Sequence, residues 1–259
     1  MRSAFLSVFI FLFVQVCLGQ DSAKVVPPAP PQGGDDDATI LYRYEASGGV
    51  TIHSNGWGVT FKSGKHITGF RKRILDFEFI SMKHPKEYRI TNPYDGAKSF
   101  IYGKLNDVFI ARAGWGYQNI VFSKGERNGV EIRYNYYGGF DLGITKPIFL
   151  DILENDPFND SLRIVVTKQY DPKDPEQSVD NIYGSSSFFT GFDKMKIYPG
   201  VYAKFAVSFE YAGWQRKIAA IETGMVADYF PNAIPIMAFN KYDNLYFNFY
   251  VSVLWGGKW

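Results

Sequence analysis

The chain alternates apolar and polar residues over its last fifteen positions. Because successive side chains of a β-strand point to opposite faces, one face of this segment is apolar and the other is more polar. The apolar face carries Leu245, Phe247, Phe249, Val251, Val253, Trp255 and Trp259. The other face carries Tyr246, Asn248, Tyr250 and Ser252. A barrel wall between lipid and a polar interior needs this division, so the pattern predicts a strand of a transmembrane β-barrel.

The same segment resembles the C-terminal insertion signal of bacterial outer-membrane proteins, in which alternating apolar residues precede a terminal aromatic residue. The residues that match the signal are Phe249, Val251, Val253, Trp255 and Trp259. The resemblance implies that the barrel-assembly machinery inserts the chain, with outer-membrane lipids around its wall. An edge strand of a soluble β-sandwich is the alternative interpretation.

Seven further segments alternate in a similar way and predict the rest of the wall. They lie at residues 39–53, 57–62, 70–83, 105–123, 130–136, 201–210 and 221–229. The pattern weakens at Gly114-Trp115-Gly116, which is interpreted either as a bulge inside one strand or as a hairpin turn. Single-chain bacterial barrels have an even strand number; the bulge gives eight strands and the turn gives nine. We therefore predict an all-β, antiparallel transmembrane barrel of eight strands, with ten as the alternative.

Three long connections are predicted to be extracellular capping loops, at residues 84–104, 146–198 and 231–243. The longest, 146–198, contains several apolar clusters and is therefore expected to pack as a cap over the outer mouth. Its aromatic residues Phe188, Phe189 and Phe192 are the candidates for binding a partner protein.

The first 38 residues are predicted to lie outside the barrel, which occupies 39–259. Residues 1–19 have the form of a secretory signal peptide, with an apolar run too short to span a bilayer and a cleavage site before Gln20. A lipoprotein acylated at Cys17 is the alternative. Residues 20–38, rich in Pro, Gly and Asp, are expected to form an extended periplasmic leader.

The composition changes this interpretation little. The net charge of +2 shows no basic excess, so no nucleic-acid partner is predicted. Aromatic residues make up 18% of the chain, which fits the aromatic girdles of a membrane barrel.

Charged residues of both signs fall on the predicted inner face. The positive ones are Arg43, Lys62, Lys72, Arg133 and Lys204, and the negative ones are Glu45, Asp76, Glu78, Glu131, Glu210, Glu222 and Asp228. Side chains fill the interior of an eight-stranded barrel, and unpaired charges at membrane depth are costly. We therefore expect a paired network and a closed interior, with a small pore as an alternative.

An enzyme would have to use His53, His66 or His84, the three histidines of the chain. His53-Ser54 resembles the His and Ser pairing of small barrel enzymes that modify lipid A. Adjacent strand residues point to opposite faces, however, so His53 does not easily reach the Ser54 hydroxyl. The sequence predicts no catalytic, cofactor-binding or metal site. A lipid A-modifying enzyme that uses His53 or His84 remains an alternative.

Several runs resemble a small outer-membrane barrel family of the Bacteroidota. They are Gly69–Arg73, Met82–Glu87, Val130–Tyr134, Asp180–Gly184, Tyr198–Gly200 and Ile234–Lys241. The resemblance covers nearly all of the chain after the signal peptide and transfers no catalytic residue. It implies an outer-membrane barrel that acts as a non-enzymatic accessory subunit of a larger assembly, such as barrel-assembly or protein-secretion machinery.

Overall fold

The computed structural model describes residues 42–122, 129–156, 159–211 and 216–259. The predicted signal peptide (1–19), the leader (20–38), the first residues of the predicted barrel (39–41) and residues 126–128 of the turn after the fourth wall strand lie outside these ranges.

The described residues form thirteen strands and three short 3-10 helices. The strands are β1 (Tyr44–His53), β2 (Gly56–His66), β3 (Arg71–Met82), β4 (Arg89–Ile90), β5 (Phe100–Ile101), β6 (Asn106–Phe122), β7 (Val130–Pro147), β8 (Phe149–Asp156), β9 (Asn159–Gln169), β10 (Ile182–Ser185), β11 (Lys196–Tyr211), β12 (Lys217–Tyr229) and β13 (Leu245–Lys258). The 3-10 helices are Pro175–Gln177, Val179–Asn181 and Phe192–Lys194.

Eight strands close a barrel in the order β1-β13-β12-β11-β7-β6-β3-β2. Each is antiparallel to both neighbours, and β13 pairs with β1 to complete the ring. The prediction of an eight-stranded antiparallel barrel is confirmed.

The predicted bulge at Gly114-Trp115-Gly116 is wrong, although the strand count that it supported is right. β6 runs in unbroken register past these residues against both β3 and β7, and its register shifts only between Ile120 and Phe122. A glycine is needed at position 116 for a different reason, because a Cβ built there would lie 1.9 Å from the carbonyl oxygen of Tyr136. The glycine therefore permits a close approach of two backbones.

The wall has an apolar outer face and a mostly polar inner face. All eight wall strands carry exposed large apolar side chains on the outside, among them Trp57, Phe79, Phe205 and Val251. Exposed aromatic residues also ring the end of the barrel where the chain enters and leaves it: Tyr44, Phe70, Phe122, Tyr211 and Trp259. An apolar band with aromatic girdles is the surface that a bilayer covers, so the barrel is a transmembrane one.

Among the described residues, no helix is long and apolar enough to cross a membrane.

The two ends of the barrel differ. We call the end at which β2 is connected to β3, β6 to β7, and β11 to β12 the turn end. We call the end that holds the long loops 83–105, 148–195 and 230–244 the cap end. Strands β6, β7 and β11 have 16 to 18 residues, more than the roughly 9 to 11 that a tilted strand needs to cross a bilayer. The parts of these strands nearest the cap end therefore extend beyond the membrane and support the cap.

Loops 83–105 and 148–195 fold together as this cap. Strands β10, β8 and β9 form a three-stranded sheet, and a core of Phe100, Leu150, Ile152, Tyr170 and Ile182 joins the two loops. Asn92 donates hydrogen bonds of 2.6 Å to the carbonyl oxygens of Val179 and Ile182. Burial of Tyr170 in this core, reinforced by Tyr102, raises the pKa of its hydroxyl to about 12. The cap is thus a small folded layer and not a set of independent loops.

The mouth at the cap end is closed by loop 230–244, one of the three predicted capping loops, and not by the longest of them, which was expected to lie over it. Phe230, Ile234, Ile236 and Met237 of loop 230–244 pack against Met82, Val108 and Ile110. Leu105 donates a backbone hydrogen bond of 2.9 Å to Ile236, which fixes the loop to the start of β6. The aromatic residues Phe188, Phe189 and Phe192, which were expected to cover this opening, are not part of this apolar plug.

Candidate functional site

Arg112 belongs to an ion-pair network inside the barrel and forms the part of it that lies nearest the cap end. Its guanidinium donates to both carboxylate oxygens of Asp228, at 2.7 and 2.8 Å, and to Glu78 at 2.9 Å. The side chain is almost completely buried. A guanidinium fork matches a carboxylate in two parallel hydrogen bonds, so Arg112 ties β6 to β12 and β3 across the interior.

Two lysines continue the network toward the middle of the barrel. Lys204 contacts Glu78 and lies 3.3 Å from Asp76. Lys62 lies 2.5 Å from Glu222. Glu222 also accepts hydrogen bonds of 2.8 Å from Asn135 and from the hydroxyl of Tyr250. These side chains come from different strands, so their pairs hold opposite walls together.

A further group of ion pairs lies nearer the turn end. Arg133 contacts Glu131 and lies 2.5 Å from Glu210, which Lys258 also contacts. Lys72 lies 2.5 Å from Glu45. The expected pairing of interior charges is confirmed for these residues, because each cation has a carboxylate within reach.

The sequence placed one interior cation, Arg43, wrongly and missed two, Arg112 and Lys258. Arg43 precedes β1 and is exposed, and the buried Glu45 pairs with Lys72. Arg112 was missed because its neighbours Ala111 and Ala113 are small and weaken the alternation of β6. Its register position opposite Glu78 on β3 was the signal that could have revealed it.

Side chains and not solvent fill the barrel. The cavity lined by Glu45, Lys62, Arg133 and Glu222 has a volume of only about 20 Å³, which is room for about one water molecule. An apolar cluster that includes Ile74, Tyr137 and Tyr202 packs beside the ion pairs. This interior has the dense packing that eight strands allow.

Purified protein in planar bilayers is expected to give no steady conductance, because buried ion pairs occupy the lumen and loop 230–244 closes the mouth. Single-channel recording checks this result. A deletion of residues 186–190 is a useful control, because that segment lies in the cap and the plug should keep the mouth closed. Reproducible ohmic steps from the intact protein would require a wider, water-filled lumen.

None of the three histidines contacts a serine hydroxyl among the described residues. His53 points into the barrel, stacks on Tyr250 at 5.5 Å and lies 3.5 Å from the Thr51 hydroxyl. The Ser54 hydroxyl instead donates to Asn248 at 3.0 Å. His66 lies at the turn end, 4.0 Å from Glu45. His84 accepts a backbone hydrogen bond from Lys86 within its own turn. In the part of the chain that the structure describes, no cluster of His, Cys, Asp and Glu is arranged to hold a metal ion.

Phe188, Phe189 and Phe192 form an exposed aromatic cluster on the cap. Their ring centroids are 5.5 to 6.2 Å apart, and the side chains are 54%, 79% and 42% exposed. The Lys146 ammonium lies 4.7 Å from the Phe188 ring centroid and donates to the Phe188 carbonyl oxygen at 3.0 Å. The three rings are thus at the surface of the cap, and their binding of a partner protein stays a prediction.

The turn that carries this aromatic cluster has a defined conformation. Gly191 has φ +92°, a value that favours glycine, and a Cβ there would lie 2.6 Å from the Phe149 ring. Thr190 donates a backbone hydrogen bond to Ser187, and Lys194 donates one to Gly191. The backbone that carries the three rings therefore has a set conformation without a partner.

The residues of the predicted insertion signal all lie on the outer face of β13. Phe249, Val251, Val253 and Trp255 are exposed along the strand, and Trp259 is exposed just beyond it. Their recognition by the insertion machinery stays a prediction.

No protein-family model matches the sequence, and no curated protein matches it significantly. Among solved structures, the chain is similar to Ail, the attachment invasion locus protein of Yersinia pestis, in complex with the heparin analogue sucrose octasulfate. The identity is 9%, the match covers 83% of this chain and 96% of that chain, and the TM-score is 0.38. It is also similar to Neisserial surface protein A, with 10% identity, the same two coverages and a TM-score of 0.40. At these values no property of either protein is transferred to this chain.

The surface of the barrel itself indicates the membrane in which the protein lies. This chain is an outer-membrane β-barrel protein. An even number of antiparallel strands, an apolar belt with an aromatic girdle, short connections at one end and three long loops at the other, beside the short β1–β2 turn, are together the features of such barrels.

Proposed function

We propose that this protein is a non-enzymatic subunit of a larger outer-membrane assembly, such as barrel-assembly or protein-secretion machinery. It binds a partner protein through the cluster of Phe188, Phe189 and Phe192. The observation that carries the proposal is the exposure of three contacting phenylalanine rings on a turn whose conformation is already set. Aromatic residues are enriched in protein interfaces, and rings held in place lose little conformational entropy on binding.

The rest of the molecule supports a scaffold role over a catalytic or transport role. The interior is packed with ion pairs, and neither His53 nor His84 contacts a serine hydroxyl in the described structure. The folded cap gives the aromatic cluster a rigid base, because its sheet and its core join two loops. In this proposal the cap faces outward, and the N-terminal leader extends into the periplasm, where further subunits would reach it.

Replacing Phe188, Phe189 and Phe192 together by serine is expected to abolish recovery of a stoichiometric companion when the tagged protein is purified from the outer membrane in mild detergent. The physical reason is the loss of three buried rings from the interface, and truncation of one such anchor typically costs about 2 kcal/mol or more. Quantitative mass spectrometry of the purified complex measures the effect.

Tyr88→Ser is the matched control, because Tyr88 is 75% exposed, belongs to the cap and lies outside the aromatic cluster. Heat-dependent mobility on gels establishes that both variants keep a folded barrel. Full recovery of the companion with the triple variant would contradict the proposed binding surface. Recovery of no companion even with the native sequence would contradict the subunit role itself.

A further inference from the structure

A groove of about 850 Å³ lies between the outer wall of the barrel and the cap. On its barrel side it is lined by Trp57 and Val59 of β2, Phe79 of β3 and Phe109 of β6. The rings of Phe79 and Phe109 stack at 5.8 Å and are nearly parallel. Trp57, Val59 and Phe79 are exposed on the outer, lipid-facing side of the wall. The groove is therefore apolar where it meets the bilayer.

Toward the cap the groove becomes basic. Its lining includes four cations, Lys83, Arg89, Lys104 and Lys146, against two carboxylates, Glu87 and Asp107. The carboxylates are already engaged: Lys104 lies 3.1 Å from Glu87 and 2.9 Å from Asp107, and Lys146 lies 3.5 Å from Asp107. Two positive charges thus remain in excess.

The excess charge belongs to Lys83 and Arg89. Both side chains are exposed and form no ion pair with any described residue. Their backbones are fixed, because Lys83 donates a hydrogen bond of 2.7 Å to Asn55 and Arg89 belongs to the β4–β5 ladder. Ser99, Ser185 and Ser187 also line the groove and add hydroxyl groups to it. This arrangement offers an anion two cations and several hydrogen-bond donors.

We propose that this groove binds a phosphorylated, multiply acylated glycolipid of the outer leaflet. Lipid A represents this class of lipid in the experiment below. Acyl chains would lie on Trp57, Phe79 and Phe109, and a phosphate would be bound by Lys83 and Arg89, at the level where the wall leaves the membrane. Charged groups attract a lipid headgroup of opposite sign near a membrane surface, while the serine hydroxyls suit a sugar.

Titration of the purified protein by native mass spectrometry tests the proposal, with three probes. Bisphosphorylated lipid A is expected to bind, and lipid A of the same acylation without its phosphates is expected to bind at least tenfold more weakly. Phosphatidylglycerol, which has a phosphate but no sugar, should also bind more weakly. In the variant Lys83→Ala/Arg89→Ala, the affinity for bisphosphorylated lipid A should fall by roughly 25-fold, about fivefold for each cation removed.

The matched control is Lys173→Ala/Lys241→Ala, which removes two exposed cations of the cap end that lie outside the groove. It is expected to leave the affinity unchanged, and heat-dependent gel mobility establishes the fold of both variants. An unchanged affinity in Lys83→Ala/Arg89→Ala would overturn the site. Equal binding of the dephosphorylated lipid would overturn the role of the phosphate, and equal binding of phosphatidylglycerol would overturn the assignment to a glycolipid. Phe188 of the aromatic cluster also lines the groove, but these titrations do not measure recovery of a companion protein, so the outcomes of the two proposals are distinguishable.

Discussion

Arg112→Met is expected to reduce the free energy of unfolding by about 3 to 5 kcal/mol, the cost of removing one partner from a buried ion pair. The substitution leaves Asp228 without its two guanidinium hydrogen bonds and Glu78 without one of its cations. Both carboxylates are shielded from water. Because native proteins are stable by only about 5 to 15 kcal/mol, this loss is a large part of the total stability. Denaturant titration in lipid vesicles measures the change.

Two further variants make this prediction specific. Arg112→Met combined with Glu78→Gln and Asp228→Asn removes the stranded charges and should recover most of the lost stability, since Lys204 keeps Asp76 at 3.3 Å as a partner. Arg71→Met is the control on the outer surface, where the guanidinium lies over the Tyr117 ring at 4.0 Å, and it should cost about 1 kcal/mol or less. A cost of that size for Arg112→Met as well would show that the interior is hydrated.

Val251→Arg is expected to cost about 2 to 4 kcal/mol, the penalty for a cation near the midplane of a barrel's lipid face. Val251 is 49% exposed on the outer face, near the middle of β13. The folded fraction in vesicles, measured by heat-dependent gel mobility and by denaturant titration, should fall accordingly.

Leu245→Arg provides the comparison, because Leu245 begins the same strand on the same face and is 61% exposed. Near the interface the cost should be only about 0 to 1 kcal/mol. Asn248 would be a poor control: it is buried and accepts a hydrogen bond from Ser54, so an arginine there would overpack the interior. Equal costs at positions 245 and 251 would mean that the membrane does not lie where the apolar belt places it.

The faces of the wall strands could be predicted from the sequence because side-chain direction in a strand depends only on the parity of position. Val201, Phe205 and Phe209 point outward and Lys204 points inward, as the alternation indicates. The same reasoning failed where the chain leaves the sheet or where side chains are small. Arg43 lies before the first paired residue of β1, so the alternation of the strand does not set the direction of its side chain. Arg112 lies among alanine and glycine residues, which contribute little to the apolar–polar alternation.

The cap and the groove could not be predicted in this way. Strand β8 has a mixed pattern because its core is built from residues far apart in the chain, such as Phe100 and Ile182. The groove likewise depends on Lys83 and Lys146, which only tertiary folding brings to one place. The alternation of apolar and polar residues predicts the faces of a barrel wall. A surface built from several loops can be described only when the three-dimensional structure is known.

The interior ion pairs have a consequence for how the barrel assembles. Arg112 and Asp228 are 116 residues apart, Glu78 and Lys204 are 126 apart, and Lys62 and Glu222 are 160 apart. Lys62 on β2 and Glu222 on β12 come close together only when β13 pairs with β1, so this pair cannot form while the sheet is still open. Non-local contacts of this kind repay the entropy of loop closure only at the end. Pairing of β13 with β1 is therefore the step that completes the neutralisation of the lumen, and we expect the two to be coupled during assembly.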